Sequence, residues 1–194
     1  MREEVKEVGL MNELYEHLHQ IGLDAELLPS GSSGTINEPC VEIKGRDIGF
    51  MQIQDLEDFG RRKSESSRQY HYIVRGNIKG LENQLRAEIR LPTYWKLDLN
   101  EKRVLDFQWE GGELAKRLNA DSELKSMLLK GGLDKLVISP DRGHQCVRII
   151  HIPGTWTTIK IGSDSMTIGR KPLPTQEDFA AYDRIAHHIH SIID

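Results

Sequence analysis

The sequence predicts an α+β fold: two tandem helix-plus-antiparallel-meander units, read as an internal duplication, closed by a C-terminal amphipathic helix. Three observations carry this reading. The chain echoes itself: residues 12–24 read NELYEHLHQIGLD and residues 122–134 read SELKSMLLKGGLD, identical at six of thirteen positions, among them Leu14/Leu124, Leu18/Leu128, Gly22/Gly132 and Asp24/Asp134. Cys40-Val41-Glu42-Ile43 then answers Cys146-Val147-Arg148-Ile149, and a repeat of this kind is a supersecondary unit used twice. Between the helical stretches, apolar and polar residues alternate with period two, as in a half-buried antiparallel sheet. Over 176–193, Phe179, Tyr182, Ile185, Ala186, Ile189, Ile192 and Ile193 fall on one helical stripe.

Taken in order, residues 3–21 form an amphipathic helix, with Val5, Val8, Met11, Leu14, Leu18 and Ile21 at spacings of three and four. Gly22 ends it. A short strand at 25–28 leads into a Ser/Gly loop at 29–37, and strands at 40–44 and 48–54 pair across Gly45-Arg46-Asp47. Residues 55–69, rich in charge and serine, read as an exposed connection. Residues 70–91 read as a long hairpin, and a second hairpin turns at Asn100-Glu101-Lys102. Gly111-Gly112 breaks the chain before a helical stretch at 113–130, kinked near Asn119–Asp121, where Asp121 caps the second half. Strands follow at 135–139, 145–152, 156–161 and 165–168. Pro174-Thr175 starts the last helix, and Glu177 and Asp178 suit its positive end. The domain reading is a first unit over 1–110, which includes the extra basic hairpin, and a second over 111–194, packed with the first as one body.

The chain has 194 residues, 29% charged and 38% hydrophobic, which is a globular rather than a disordered composition. No apolar run approaches the roughly 18 residues of a membrane span. The charged start MREEVKEV lacks a signal peptide's apolar stretch, and two cysteines without such a signal suit reduced thiols, so a cytoplasmic location is expected. A net charge of −4 argues against wholesale attraction to nucleic acid or an anionic membrane. Yet residues 61–103 carry eleven Lys or Arg against five Asp or Glu, leaving −10 for the rest. That asymmetry points to a local interaction surface.

Four groups of residues could carry chemistry. In the 70–91 hairpin, alternation sends His71, Arg75 and Lys79 to one side of one strand, and Arg86 and Arg90 to the same side of the return strand. Such a donor-bearing sheet face suits phosphates of a small ligand or of nucleic acid. Two glycine–basic turns, Phe59-Gly60-Arg61-Arg62 and Ile168-Gly169-Arg170-Lys171, occupy corresponding places in the echo, and their backbone N–H groups and charge suit an anion. Asp183, His187 and His190 share a face of the last helix at spacings of four and three, which makes them the residues to test for metal, although no His-Glu-x-x-His pattern is present and no metal is expected. Cys146 lies near His144 and His151, without the surrounding signature of a nucleophilic cysteine. The SGSSGT loop at 30–35 lacks the Gly-Lys-Ser/Thr ending of a phosphate-binding loop and precedes a strand.

These residues predict a non-catalytic cytoplasmic binding protein that recognises an anionic ligand or nucleic acid through the basic hairpin face, needs no cofactor and does not touch the membrane. The competing readings are a metal-assisted or Cys/His-dependent hydrolytic enzyme, and a structural subunit that forms a homodimer through a sheet edge or the last helix.

Overall fold

The computed structural model describes residues 2–31, 38–59, 63–90, 97–98, 103–104, 106–130, 135–153, 155–161, 164–168 and 173–194. The first helix, α1 (Arg2–Gln20), stops as its sequence requires. Gly22 takes φ +80°, the Gly22 N–H donates to the His19 carbonyl at 3.0 Å, and the Leu23 N–H reaches the Leu18 carbonyl at 2.9 Å. This pair of bonds satisfies the last carbonyls of the helix, and buried Leu18 and Leu23 belong to the same core cluster.

Strands β1 (Ala25–Leu28), β2 (Cys40–Ile43), β3 (Phe50–Phe59) and β4 (Lys63–Arg75) follow as an antiparallel meander. The one-turn helix α2 (Glu82–Leu85) leads to β5 (Ala87–Arg90). β6 (Leu97–Asp98) and β7 (Arg103–Val104) form a separate two-stranded ladder, the second predicted hairpin. Then come β8 (Gln108–Gly111), α3 (Glu113–Ala120), α4 (Ser122–Lys130), β9 (Lys135–Asp141), β10 (Cys146–Ile152), β11 (Thr155–Ile161), β12 (Asp164–Ile168) and α5 (Gln176–Ile193).

All strands except β6 and β7 join one ten-stranded antiparallel sheet, ordered β1-β2-β3-β4-β10-β9-β5-β8, with β11 between β4 and β12. β4 is its spine. On one side it pairs with β3 over ten residues, while its other side is shared by β10 and β11. His151 faces Tyr70 and Thr155 faces Ser67, so the β10–β11 side carries one extra residue. Pro153, which has no N–H for a ladder, sits at that bulge.

The buried residues of α1, α2, α3, α4 and α5 all belong to one core cluster with Tyr70, Tyr72, Val74, Val147 and Ile149. Helices therefore cover one face of the sheet. A second, smaller cluster of Cys40, Phe50, Ile73 and Cys146 lies on the other face and is built from strand residues alone.

Three expectations are not met here. Residues 55–69 are not an exposed connection: 50–59 and 63–75 are long paired strands, and Arg68 is fully buried. Residues 70–91 are not a hairpin. The strand holding His71 and Arg75 pairs with β3 and β10, whereas β5 pairs with β8 and β9, so two strands stand between them. The turn after Arg75 contains α2 rather than a tight reversal, and β10 takes the place the return strand would fill. The echo is not reproduced in register either. Cys40 faces Leu28, four positions after Asp24, while Cys146 faces Asp141, seven positions after Asp134. The α+β class stands, and the duplication is not established by the fold.

Candidate functional site

Period two decides what lies on the helix-free face. Tyr70, Tyr72 and Val74 enter the core, so Gln69, His71, Ile73 and Arg75 project the other way. Across the ladder Gln52 faces His71, and Ile73 faces both Phe50 and Arg148. Near this row a cleft of about 270 Å³ opens where the chain before β2 parts from β3, lined by Leu10, Met11, Glu38, Pro39, Gln52, Ile53, Gln54, Asp55, His71 and Arg148.

A polar network organises the cleft. Arg148 is 13% exposed and donates through Nε to Asp141 at 2.9 Å and through Nη1 to Gln52 Oε1 at 2.7 Å. Gln52, 7% exposed, donates through Nε2 to Glu38 and to the Pro39 carbonyl, each at 3.2 Å. Asp141 also receives His144 Nδ1 at 2.8 Å. Burial alone would raise the Asp141 carboxyl, but its bonds with His144 and Arg148 win and hold it below its usual range. His71 Nε2 meets Gln69 Oε1 at 3.1 Å, while its buried Nδ1 has no hydrogen-bond partner. Burial first, and the charge of Arg148 second, push the imidazole down from 6.5 to about 4. It is therefore neutral at pH 7.

Of the described basic residues singled out by sequence, only His71 lines this cleft. Arg75 shares its face but lies over the Phe50 ring at 4.0 Å. Arg90 is on the same face, since Ala87 and Ile89 are core, yet three strand spacings, roughly 14 Å, separate its strand from β4. It pairs with Glu110 at 2.9 Å. Lys79 and Arg86 are exposed in the segments flanking α2. Arg61, Arg62, Arg170 and Lys171 lie outside the described residues.

The other candidates are similarly dispersed. Asp183 is ion-paired with Arg46, and His187 is exposed beside His188. Among the described residues no group of three His, Cys, Asp or Glu is arranged to hold a metal. Burial pushes the Cys146 thiol up to about 11, away from the thiolate a nucleophile needs. His144 is engaged by Asp141, and His151 by the Tyr182 hydroxyl at 2.7 Å. Cys40 and Cys146 sit on strands three spacings apart, roughly 14 Å, beyond reach of a disulfide.

Sequence reading passed over Glu38, Gln52, Asp141 and Arg148. One signal was present: Arg148 interrupts the apolar run Cys146-Val147-Arg148-Ile149-Ile150, where a charge inside a central strand needs a partner. Arg68 was missed too. It is 0% exposed, binds Asp55 at 2.7 and 3.2 Å and Glu13 of α1 at 3.0 Å, and so fastens that helix to the sheet. No helix among the described residues is long and apolar enough to cross a membrane. No protein-family model, no curated protein and no solved structure matches this chain.

Proposed function

We propose that this chain is a non-catalytic binding protein that takes a small anion, a carboxylate or a phosphate, in the cleft between Glu38 and the β3-β4-β10 row, with Arg148 as its anchor. One observation carries the reading: a mostly buried guanidinium is held in fixed orientation by Asp141 and Gln52 at the wall of the cleft. Those contacts use two of its five N–H donors, and a guanidinium fork matches carboxylate or phosphate geometry. His71 supplies a second group. An anion beside it would offset the burial and the Arg148 charge that keep it neutral, so binding would take up a proton. Catalysis is less well supported, because the buried Cys146 thiol and the strongly depressed imidazoles of His71 and His151 are poorly matched to nucleophile or base work near neutral pH.

The polyanion form of the proposal is weaker. Nucleic acid needs a row of cations, yet Arg90 is tied to Glu110, Arg148 to Asp141, and Arg75 covers Phe50. A cytoplasmic location and an origin by duplication belong to the proposal as well. The test is calorimetric titration of wild type and Arg148→Gln with inorganic phosphate, succinate and a single-stranded RNA. Succinate or phosphate should bind wild type, weaken with added salt, tighten between pH 7 and pH 5, and lose at least about tenfold in the variant, consistent with a charge-assisted hydrogen bond. Wild type that ignores both small anions at low salt would overturn the assignment, and RNA binding alone would return the site to the exposed basic residues.

A further inference from the structure

A second cavity lies on the helix-covered face, independent of the Arg148 cleft. It has a volume of about 480 Å³, space for roughly fifteen water-sized groups at ~30 Å³ each, and falls within the size range of small-molecule sites. α4 contributes Met127 and Leu128, β9 contributes Leu136, and α5 contributes Ala181 and Tyr182. His151 of β10 also lines it. Among the described residues Lys130, Thr175, Glu177, Asp178 and Ala180 also line it. Asp178 is already spent in a capping box with Thr175 at the start of α5.

We propose that this cavity binds a small, uncharged, largely apolar molecule carrying one hydrogen-bonding group, which His151 receives. Three features select that chemistry. Met127, Leu128, Leu136, Ala181 and Tyr182 make one side of the cavity hydrocarbon and aromatic, so a formal charge lodged against them would be stripped of water at high cost, while Lys130, Thr175, Glu177 and Asp178 supply its polar side. Glu177 and Asp178 outweigh the single cation Lys130 in the lining and disfavour an anion, which separates this ligand class from the one assigned to Arg148. The Tyr182 hydroxyl occupies His151 Nδ1 at 2.7 Å, leaving Nε2 for a ligand. Burial pushes His151 down to about 4, so the ring is neutral at pH 7. The tyrosine–histidine pair is reversible in sense. When Tyr182 donates, Nε2 carries the proton and can donate to a carbonyl; when Nδ1 donates, Nε2 can accept from a hydroxyl or an indole N–H.

The experiment follows side-chain NMR signals of His151 and the methyls of Met127, Leu128 and Leu136 during titration with cyclohexanone, indole, toluene and benzoate. Cyclohexanone and indole should shift the methyls together with His151 Nε2. Toluene, without a polar group, should bind about tenfold more weakly, the value of one hydrogen bond. Benzoate should not bind here. Ala181→Leu should fill the cavity and abolish the shifts while leaving phosphate binding at the other site unchanged. If that variant does not fold, Met127→Trp fills the cavity from its partly exposed rim. His151→Phe should retain toluene but lose the preference for cyclohexanone over it. No methyl shift with any neutral probe at millimolar concentration, or shifts that persist in both filled variants, would overturn the proposal, and neither result bears on Arg148.

Discussion

Arg68 illustrates how much one side chain's energetics depend on where the fold puts it. Its guanidinium is wholly buried, and the bonds to Asp55 and Glu13 outweigh the burial that would otherwise lower its pKa. Removing one member of a buried ion pair strands the other, which typically costs about 3–5 kcal/mol, whereas replacing both by apolar groups recovers much of that. Urea unfolding of Arg68→Met should therefore show a loss of this size, and Arg68→Met/Asp55→Leu a clearly smaller one. Equal losses in both variants would mean that the pair is not coupled. Gly112 is a second case. A Cβ there would lie 2.1 Å from the Asn83 carbonyl oxygen and 2.7 Å from the Gln84 Cα, both backbone atoms that cannot swing aside. Gly112→Ala should cost about 1–3 kcal/mol through overpacking, and a melting temperature equal to wild type would contradict this close approach.

Among the elements, α5 behaves as its sequence announces. Thr175 and Asp178 form a reciprocal capping box, so Thr175→Ala should lower stability by about 1 kcal/mol. Asp121 does more than its sequence shows. It caps α4 through Leu124 N–H at 3.0 Å and holds Arg184 and His188 of α5 at 2.5 and 2.8 Å, which ties two helices together. Those bonds hold its carboxyl well below the usual range against the burial that would raise it. The strands carry the pH dependence. His71 and His151 are each pushed down from 6.5 to about 4, so between those values the unfolded chain binds more protons than the folded one. Their contribution is complete above pH 6.5 and is lost as pH falls toward 4, by up to roughly 3 kcal/mol each and less in practice because both rings are partly exposed. Asp121 and Asp141 act in a lower window, their contribution being lost as pH drops below the ordinary carboxylate range. Urea midpoints should thus fall between pH 7 and pH 5 in wild type and stay flatter in His71→Asn/His151→Asn; identical wild-type midpoints at the two pH values would refute this.

For the whole molecule, the decisive ladder is β4 with β10. It joins residues 70–75 to residues 146–151, and one core cluster collects side chains from both halves of the chain. Fragments 1–110 and 111–194 should each be unfolded alone by circular dichroism and regain structure when mixed. The intact chain should show one unfolding transition by circular dichroism and by tryptophan fluorescence, since Trp109 is buried in that cluster. Two separated transitions, or a folded fragment, would contradict the single packed body.

The boundary between legible and illegible runs along the reach of each interaction. α1, its glycine stop, the kink at Asp121, the capped last helix and the Cys40–Ile43 strand were readable because propensity, capping and periodicity act within a few residues. The sharing of one face by His71, Arg75 and Arg90 was also readable, because alternation is local. Their assembly into one basic patch was not readable, since alternation names a face and never a neighbour. Neighbours are set by backbone pairing across long stretches of chain, and here β10 and β9 insert between β4 and β5. The polar strand over 63–69 was hidden for a related reason. Its Lys, Ser and Glu residues favour strand weakly, and it is extended because β3 and β11 satisfy its backbone from both sides. The sequence by itself determined the α+β class, the helices α1, α3, α4 and α5, and the facing of residues within the strands it located, but not α2 or the strand residues 55–59 and 63–69. Tertiary structure alone decided that Arg148 meets Gln52 from 96 residues away and that His151 meets Tyr182, because a buried polar group takes whatever partner the packed sheet brings within reach.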